Sequence, residues 1–434
     1  MLSFGAVALG IYWAISTTDY EHAQFYAVVL LLAGALIGLA VVREVAGADW
    51  MALIFATAVG YTDRIVRKPF IGSDVLLVTQ RAIQALVSGV NPYMHTHVAG
   101  IAQPVPFVYP PGELYFYAIG KTFFGQLVEV DRWAGIGIVI LLASLALFVG
   151  PARAAFATAL YATFGLAAFR SLDGSNDTSF AFLLLLAIVL LAFSERSEKG
   201  SRALFYASAI IFALALLFKQ FASLIYPFVV LYLWRRGAAW YRYAAVSLGV
   251  VALICLPFFL GAPSDFLNSM ITALGYHENI WGLNLWSGLK PYAPDFIDGL
   301  RPMLSLITLF AIVGTAALLV RWHAPNLGGA LLQGLMLLFV ALYLARWSTS
   351  PYYTSAGAIL AAAIALFDPE VERRRSKQES SPLGTLNWQF SLSRHYGAVV
   401  RPLETKRAYL RRRTRPTRLR PKARRRARAS RTIG

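Results

Sequence analysis

Charge is what this 434-residue chain has least of. Asp, Glu, Lys and Arg together make up 14 % of it, where a soluble domain carries roughly 25 %. Hydrophobic residues make up 58 %. That balance excludes an ordinary soluble domain and predicts a polytopic membrane protein. Cysteine is nearly absent. Cys255 stands alone in an apolar run, so no internal disulfide forms. There is no Walker loop, no dinucleotide fingerprint and no defensible Ser-His-Asp order. Residues 2–16 are apolar, but no positive segment precedes them and no small-residue cleavage site follows, so no cleavable signal peptide is expected. No internal repeat is visible.

Positive charge is abundant but concentrated in one place. The chain carries a formal +18. Residues 371–434 hold 20 Lys and Arg against 3 Glu, a net +17, which leaves +1 for the first 370 residues. Two regions follow: a membrane domain over 1–367 and a basic tail over 368–434, expected to be disordered and cytoplasmic. The predicted partner of the tail is anionic lipid, each basic residue contributing about 1 kcal/mol near the surface. Nucleic acid is not expected.

The apolar runs predict an all-α membrane bundle of about 10–13 spans, near 2–17, 24–42, 50–62, 132–150, 154–170, 177–193, 203–219, 221–234, 240–260, 302–320, 328–345 and 353–367. Residues 112–127 contain Lys121 and run into Glu129 and Asp131, which suits an interfacial or re-entrant helix. Basic residues in short loops set orientation. Arg43, Arg153, Arg196, Arg235 and Arg321 then share the cytoplasmic face with both termini. The large polar loops gather on the outer face of what is expected to be the plasma membrane.

The most unusual stretch is 61–111, too long for a plain connection. It contains Asp63, Asp74, Arg64, Arg67, Lys68, Arg81, His95 and His97. Residues 74–90 put Val75, Leu76, Val78, Ala82, Ile83, Leu86 and Val87 on one helical face, with Gln80, Arg81 and Gln84 opposite. This predicts a helix along the membrane surface. Ser73 is its N-cap, Gly89 ends it, and Asn91-Pro92 turns the chain. Farther on, Lys219-Gln220 interrupts an apolar run over 203–234, where a charge in lipid is costly and seeks a polar cavity. Residues 261–301 include NIWGLNLWSGLKPY.

Four places resemble the GT-C glycosyltransferases, in particular the polyprenyl-phosphate-mannose-dependent branch that includes actinobacterial mannosyltransferases and the first mannosyltransferase of GPI-anchor synthesis. Tyr61-Thr62-Asp63 resembles the motif that opens the first outer loop. Ser73-Asp74 with Gly89-Val90-Asn91-Pro92-Tyr93 resembles the motif that follows. Phe107-Val108-Tyr109-Pro110-Pro111 resembles a Tyr-x-Pro element. Asn176-Asp177 and Phe218-Lys219 resemble two later positions. The resemblance runs through much of 50–367 and implies a large first outer loop with interfacial helices.

It also implies an inverting transfer of a hexose, mannose by branch, from a polyprenyl-phosphate donor to a membrane-associated glycan or glycolipid, at the outer face. A lipid-linked donor fits the lack of a nucleotide loop. An aspartate of the first outer loop would serve as general base, and Asp74 and Asp63 compete for that role. Asp74 equally suits a helix start, and Asp63 an ion pair with Arg64 or Arg67. Lys219 is either a phosphate clamp or a snorkelling lysine. Arg170, Arg346 and His277 are further phosphate candidates. Asp173 and Asp177 bind acceptor sugar or, for Asp177, cap a helix. Trp281, Trp286 and Tyr93 stack on sugar or prenyl chain, or anchor at the membrane belt. Asn91 and Tyr109 belong to the substrate set through their motifs. No metal cofactor is expected. The branch's Asp-x-Asp is here Asp63-Arg64-Ile65, and His95 and His97 lack a third ligand. A divalent metal stays the alternative. The rival functions are a lipid or sugar transporter or flippase, and a non-catalytic membrane scaffold.

Overall fold

The computed structural model describes residues 1–16, 24–97, 105–196, 201–275, 280–322, 324 and 326–367. His277 and the basic tail lie outside the described residues. Helices dominate, as they must where no water is present to satisfy backbone amides and carbonyls.

The N-terminal part runs α1 (Leu2–Ser16), α2 (Gln24–Val42), α3 (Ala48–Val66), α4 (Asp74–Val87), a ladder of β1 (Thr96–His97) with β2 (Val105–Pro106), and α5 (Gly112–Phe124). The middle holds α6 (Leu127–Ser144), α7 (Ala146–Val149), α8 (Pro151–Ala162), α9 (Gly165–Arg170), α10 (Asp177–Arg196), α11 (Ser201–Leu216), α12 (Ala222–Arg235) and α13 (Trp240–Gly261). Then come α14 (Pro263–Gly275), β3 (Trp281–Gly282), α15 (Leu285–Leu289), α16 (Pro294–Leu300), α17 (Leu304–Arg321), α18 (Leu327–Leu344), β4 (Trp347–Ser348) and α19 (Ser350–Leu366). β1 and β2 pair antiparallel, with Thr96 opposite Pro106. β3 and β4 pair parallel, with Trp281 opposite Trp347.

Among the described residues six helical stretches are long and apolar enough to cross a membrane: Gln24–Val42, Leu127–Val149, Asp177–Arg196, Trp240–Gly261, Pro294–Arg321 and Leu327–Leu344. Shorter apolar helices accompany them, at Leu2–Ser16, Ser201–Leu216, Ala222–Arg235 and Ser350–Leu366. The protein is an all-α polytopic membrane bundle. Its centre is α10, which is mostly buried, whereas α13 is mostly exposed. α10 packs on α6, α11 and α19, while α3 packs on α8. Phe310, Leu253 and Leu36 on the outer helices stay exposed, as lipid-facing side chains should.

Three sequence expectations change. Tyr61-Thr62-Asp63 does not open a loop. No breaker stands before Pro69, so α3 continues to Val66, and Arg67 pairs with Asp63 one turn earlier at 2.9 Å. Arg132 holds this helix end, donating to the Arg64 carbonyl at 2.9 Å and the Ile65 carbonyl at 2.8 Å. The run 154–170 is two helices, since Phe164 is extended between α8 and α9. Asp131 does not mark an interface either. It is fully buried and accepts from Tyr117 Oη at 2.7 Å and Ser179 Oγ at 2.5 Å.

The amphipathic reading of α4 holds. Leu76, Val78, Ala82 and Ile83 are buried, and Ser73 Oγ accepts from the Val75 amide at 3.3 Å. Gly89 has φ +77, the left-handed exit expected of a helix terminator. Val87, on the same apolar face, is 80 % exposed. α5 has 13 residues, about 20 Å of helix, too short to cross the membrane unaided. Its first residue must be small: a Cβ on Gly112 would sit 2.6 Å from Leu217 Cβ.

Candidate functional site

A cavity of about 1070 Å³ opens where the polar segments meet. Asp74 enters it from the first turn of α4, Tyr109 from the segment before α5, and Arg170 from the last turn of α9. Asp177 comes from the first turn of α10, and Lys219 from the break between α11 and α12. Trp281 lies on β3, and Ser350 and Tyr352 start α19. Residues nearly 280 positions apart therefore line one space. Three helices of fourteen residues or more begin at its wall, α4, α10 and α19. Their N-terminal dipoles give the cavity a positive bias.

Asp74 is exposed into this space. The cations are held more tightly. Lys219, 3 % exposed, donates to Asp177 Oδ1 at 2.7 Å and Asn176 Oδ1 at 2.9 Å. Its ammonium also lies 4.9 Å from the Tyr352 ring centre and 5.8 Å from that of Tyr109, favourable cation–π placements. Arg170 pairs with Asp173 and donates to Ser350 Oγ at 2.6 Å. Lys219 and Arg170 thus each have a carboxylate neighbour, the arrangement that makes burial of a charge tolerable.

Beneath the floor the network continues. Asn176 has φ +62, a left-handed conformation that asparagine tolerates better than most residues. Its Nδ2 donates to Glu113 Oε2 at 3.1 Å. Glu113 is fully buried, and its Oε1 lies 2.6 Å from Thr79 Oγ1 on α4. Burial lifts the Glu113 carboxyl to about 8, against the downward pull of Thr79, Asn176 and Lys219. Sequence reasoning assigned Glu113 and Thr79 no role. Thr79 falls there in the amphipathic 74–90 helix and Glu113 in the interfacial or re-entrant segment 112–127, and only the packing of α4 on α5 joins them.

The candidates divide by position. Asp74, Lys219, Arg170, Asp177, Tyr109 and Trp281 meet in the cavity. Asp63 is absent from its lining; it is 1 % exposed and turned to Arg67. Asp173 lies one contact back, behind Arg170. Asn91 and Tyr93 pack the segment before β1 against its neighbours and do not line the wall. Asn91 Nδ2 donates to the Phe258 carbonyl at 3.1 Å, and Tyr93 Oη donates to the Tyr109 carbonyl at 2.7 Å, with its ring against Phe107 and Phe266. Trp286 is buried and donates to the Leu344 carbonyl at 2.7 Å. Arg346 reaches Ser305 Oγ at 2.8 Å. His97 is equally structural: its Nε2 donates to the Pro92 carbonyl at 2.9 Å, and burial pushes the imidazole below its usual range. Among the described residues no group of three His, Cys, Asp or Glu is placed to hold a metal ion.

One wall has an exacting backbone requirement. Gly282 has φ +103, and a Cβ there would fall 2.1 Å from the Ser348 carbonyl oxygen. Gly282→Ala is expected to separate β3 from β4 and cost about 1–3 kcal/mol, read as a lower melting temperature. An unchanged melting temperature would mean that the ladder contributes little.

No family model and no curated protein matches the sequence. Among solved structures, the chain is similar to ArnT from Cupriavidus metallidurans bound to undecaprenyl phosphate, with a TM-score of 0.47 and 15 % identity over 76 % of this chain and 62 % of that one. The same protein in the apo state gives a TM-score of 0.46 and 17 % identity, over 76 % and 61 %. The archaeal oligosaccharyltransferase AglB from Archaeoglobus fulgidus, in complex with an inhibitory peptide and a dolichol-phosphate, gives 0.42 and 16 %, over 73 % and 50 %. The chain thus spans 62 % or less of the length of these structures.

Proposed function

We propose that this protein is a membrane glycosyltransferase of the GT-C kind. It moves a hexose, mannose in this reading, from a polyprenyl-phosphate donor to a membrane-associated glycan or glycolipid at the outer face. One observation carries the proposal: an exposed carboxylate, Asp74, shares a cavity with Lys219, Arg170 and three helix N-termini. The motif resemblance around Asp74, Tyr109 and Lys219 points the same way.

In this mechanism the acceptor hydroxyl attacks the anomeric carbon. Asp74 takes the hydroxyl proton, and the bond from that carbon to the carrier phosphate oxygen breaks, the phosphate leaving with the electron pair. A single displacement inverts the centre. Charge growing on the phosphate is met by Arg170, Lys219 and the N-termini of α10 and α19. Lys219 acts chiefly through its field, because two of its three donors go to Asp177 and Asn176. Tyr109 and Trp281 offer ring faces for sugar or lipid.

Purified protein given radiolabelled polyprenyl-phosphate mannose and membrane lipid acceptors should form labelled glycolipid. Transfer is expected to persist in chelator, since Arg170, Lys219 and the N-termini of α10 and α19 supply positive potential without a metal. No transfer from any polyprenyl-phosphate sugar would overturn the function, and loss in chelator alone would overturn its metal independence.

A further inference from the structure

Glu113 takes no part in the steps above, yet it ties the site together. It is fully buried near the start of α5. Its Oε1 contacts Thr79 Oγ1 at 2.6 Å, and Thr79 Oγ1 also lies 2.9 Å from the Val75 carbonyl, one turn back in α4. A threonine hydroxyl has one hydrogen, and a carbonyl only accepts. If Glu113 were ionised, that hydrogen would go to the carboxylate. The Thr79 and Val75 oxygens would then face each other with nothing between them. If Glu113 carries a proton, the chain closes: carboxyl O–H to Thr79, Thr79 O–H to Val75. Its other oxygen accepts from Asn176, whose amide orientation follows because Lys219 only donates and must meet Asn176 Oδ1.

We propose that Glu113 is a positioning residue held as the neutral acid, a latch that fixes the helix bearing Asp74 against the Asn176–Lys219–Asp177 cluster. Val75 follows Asp74 directly, so the latch acts at the turn that presents the base. The other titratable groups facing Glu113 are Lys219, Asp131 and the phenols of Tyr93, Tyr109 and Tyr117. Burial holds those three phenols well above their usual range, and Asp131 is a second buried carboxyl beside Glu113, so it is the comparison with a non-titrating Glu113 variant that isolates the contribution of Glu113. A carboxyl raised from 4.5 to about 8 is most at ease when protonated. The stability it confers is complete below 4.5 and lost as pH rises through about 8.

The activity arm of the test rests on the proposed transferase, and the stability arm does not. Thermal unfolding of the full purified chain in detergent is followed across this pH range for wild type and Glu113→Gln. The amide keeps one donor and one acceptor and does not titrate. The melting temperature of wild type is expected to fall towards about pH 8 more steeply than that of Glu113→Gln. Glu113→Gln should also retain wild-type kcat near neutrality and hold it where wild type declines. Glu113→Ala should lose on the order of 10- to 100-fold in kcat, with a smaller change in KM. Coincident pH profiles of melting for wild type and Glu113→Gln would overturn the latch. If no form transfers sugar, the transferase reading fails and the melting profiles still decide the latch. Should Glu113→Gln not fold, infrared spectra of wild type with carbon-13 glutamate replace it. A protonated-carboxyl band lost through about pH 8 is expected, and its absence at neutral pH would overturn the proposal.

Discussion

Asp74→Asn is expected to cut sugar transfer by roughly 10²- to 10⁴-fold, the span that general-base catalysis supplies, while the melting temperature stays near wild type. The two halves of this expectation have separate physical grounds. Asp74 is exposed into the cavity and sits in the first turn of α4. Asparagine is nearly isosteric and is tolerated at a helix start, and the Ser73 cap is untouched. The fold should therefore lose only a dipole interaction of about 0.3–1 kcal/mol. The chemistry loses its proton acceptor altogether. Asp63→Asn should behave in the opposite way. That carboxylate is buried against Arg67 and lines no part of the cavity, so stability should fall and transfer should persist. Radiolabelled transfer and thermal unfolding, measured side by side, separate the two. Full activity in Asp74→Asn with none in Asp63→Asn would reverse the assignment.

Lys219→Met is expected to destabilise the protein by about 3–5 kcal/mol, the cost of leaving a buried charge without its partner. The ammonium and Asp177 are almost wholly buried, 2.7 Å apart. The same substitution removes the cation–π contacts with Tyr352 and Tyr109 and the donor that orients Asn176. Adding Asp177→Leu should restore much of the melting temperature, because two matched apolar residues replace the ion pair without leaving a charge behind. It should not restore transfer, since the field at the phosphate position is still missing. A stable Lys219→Met protein would show that Asp177 finds another partner and that the pair does not hold the α11–α12 break.

The sequence was legible wherever neighbours along the chain decide the outcome. α4 follows from its apolar face, the Ser73 cap and Gly89, all within one short segment. The break at Lys219-Gln220 follows from the cost of a charge in an apolar run. Asp63 was misplaced because its motif resembled a loop opening, whereas local helix propensity and the Arg67 pairing carry α3 past it. Tyr93 and Trp286 are substrate candidates by residue type, and Asn91 through its motif. An aromatic ring or an amide serves a cavity wall and a packed interior equally well, and only its neighbours tell the two apart.

Composition and periodicity alone determined a membrane-embedded helical bundle with its polar residues concentrated in a few segments, because the exclusion of water from lipid acts on every residue independently. Which of those polar residues meet was decided by tertiary structure. Thr79, Glu113, Asn176 and Lys219 come from four separate parts of the chain, and their hydrogen bonds exist only once α4, α5 and α10 pack together. Desolvation and proton sharing depend on three-dimensional neighbours, so the charge state of Glu113 had no signature in the order of the letters.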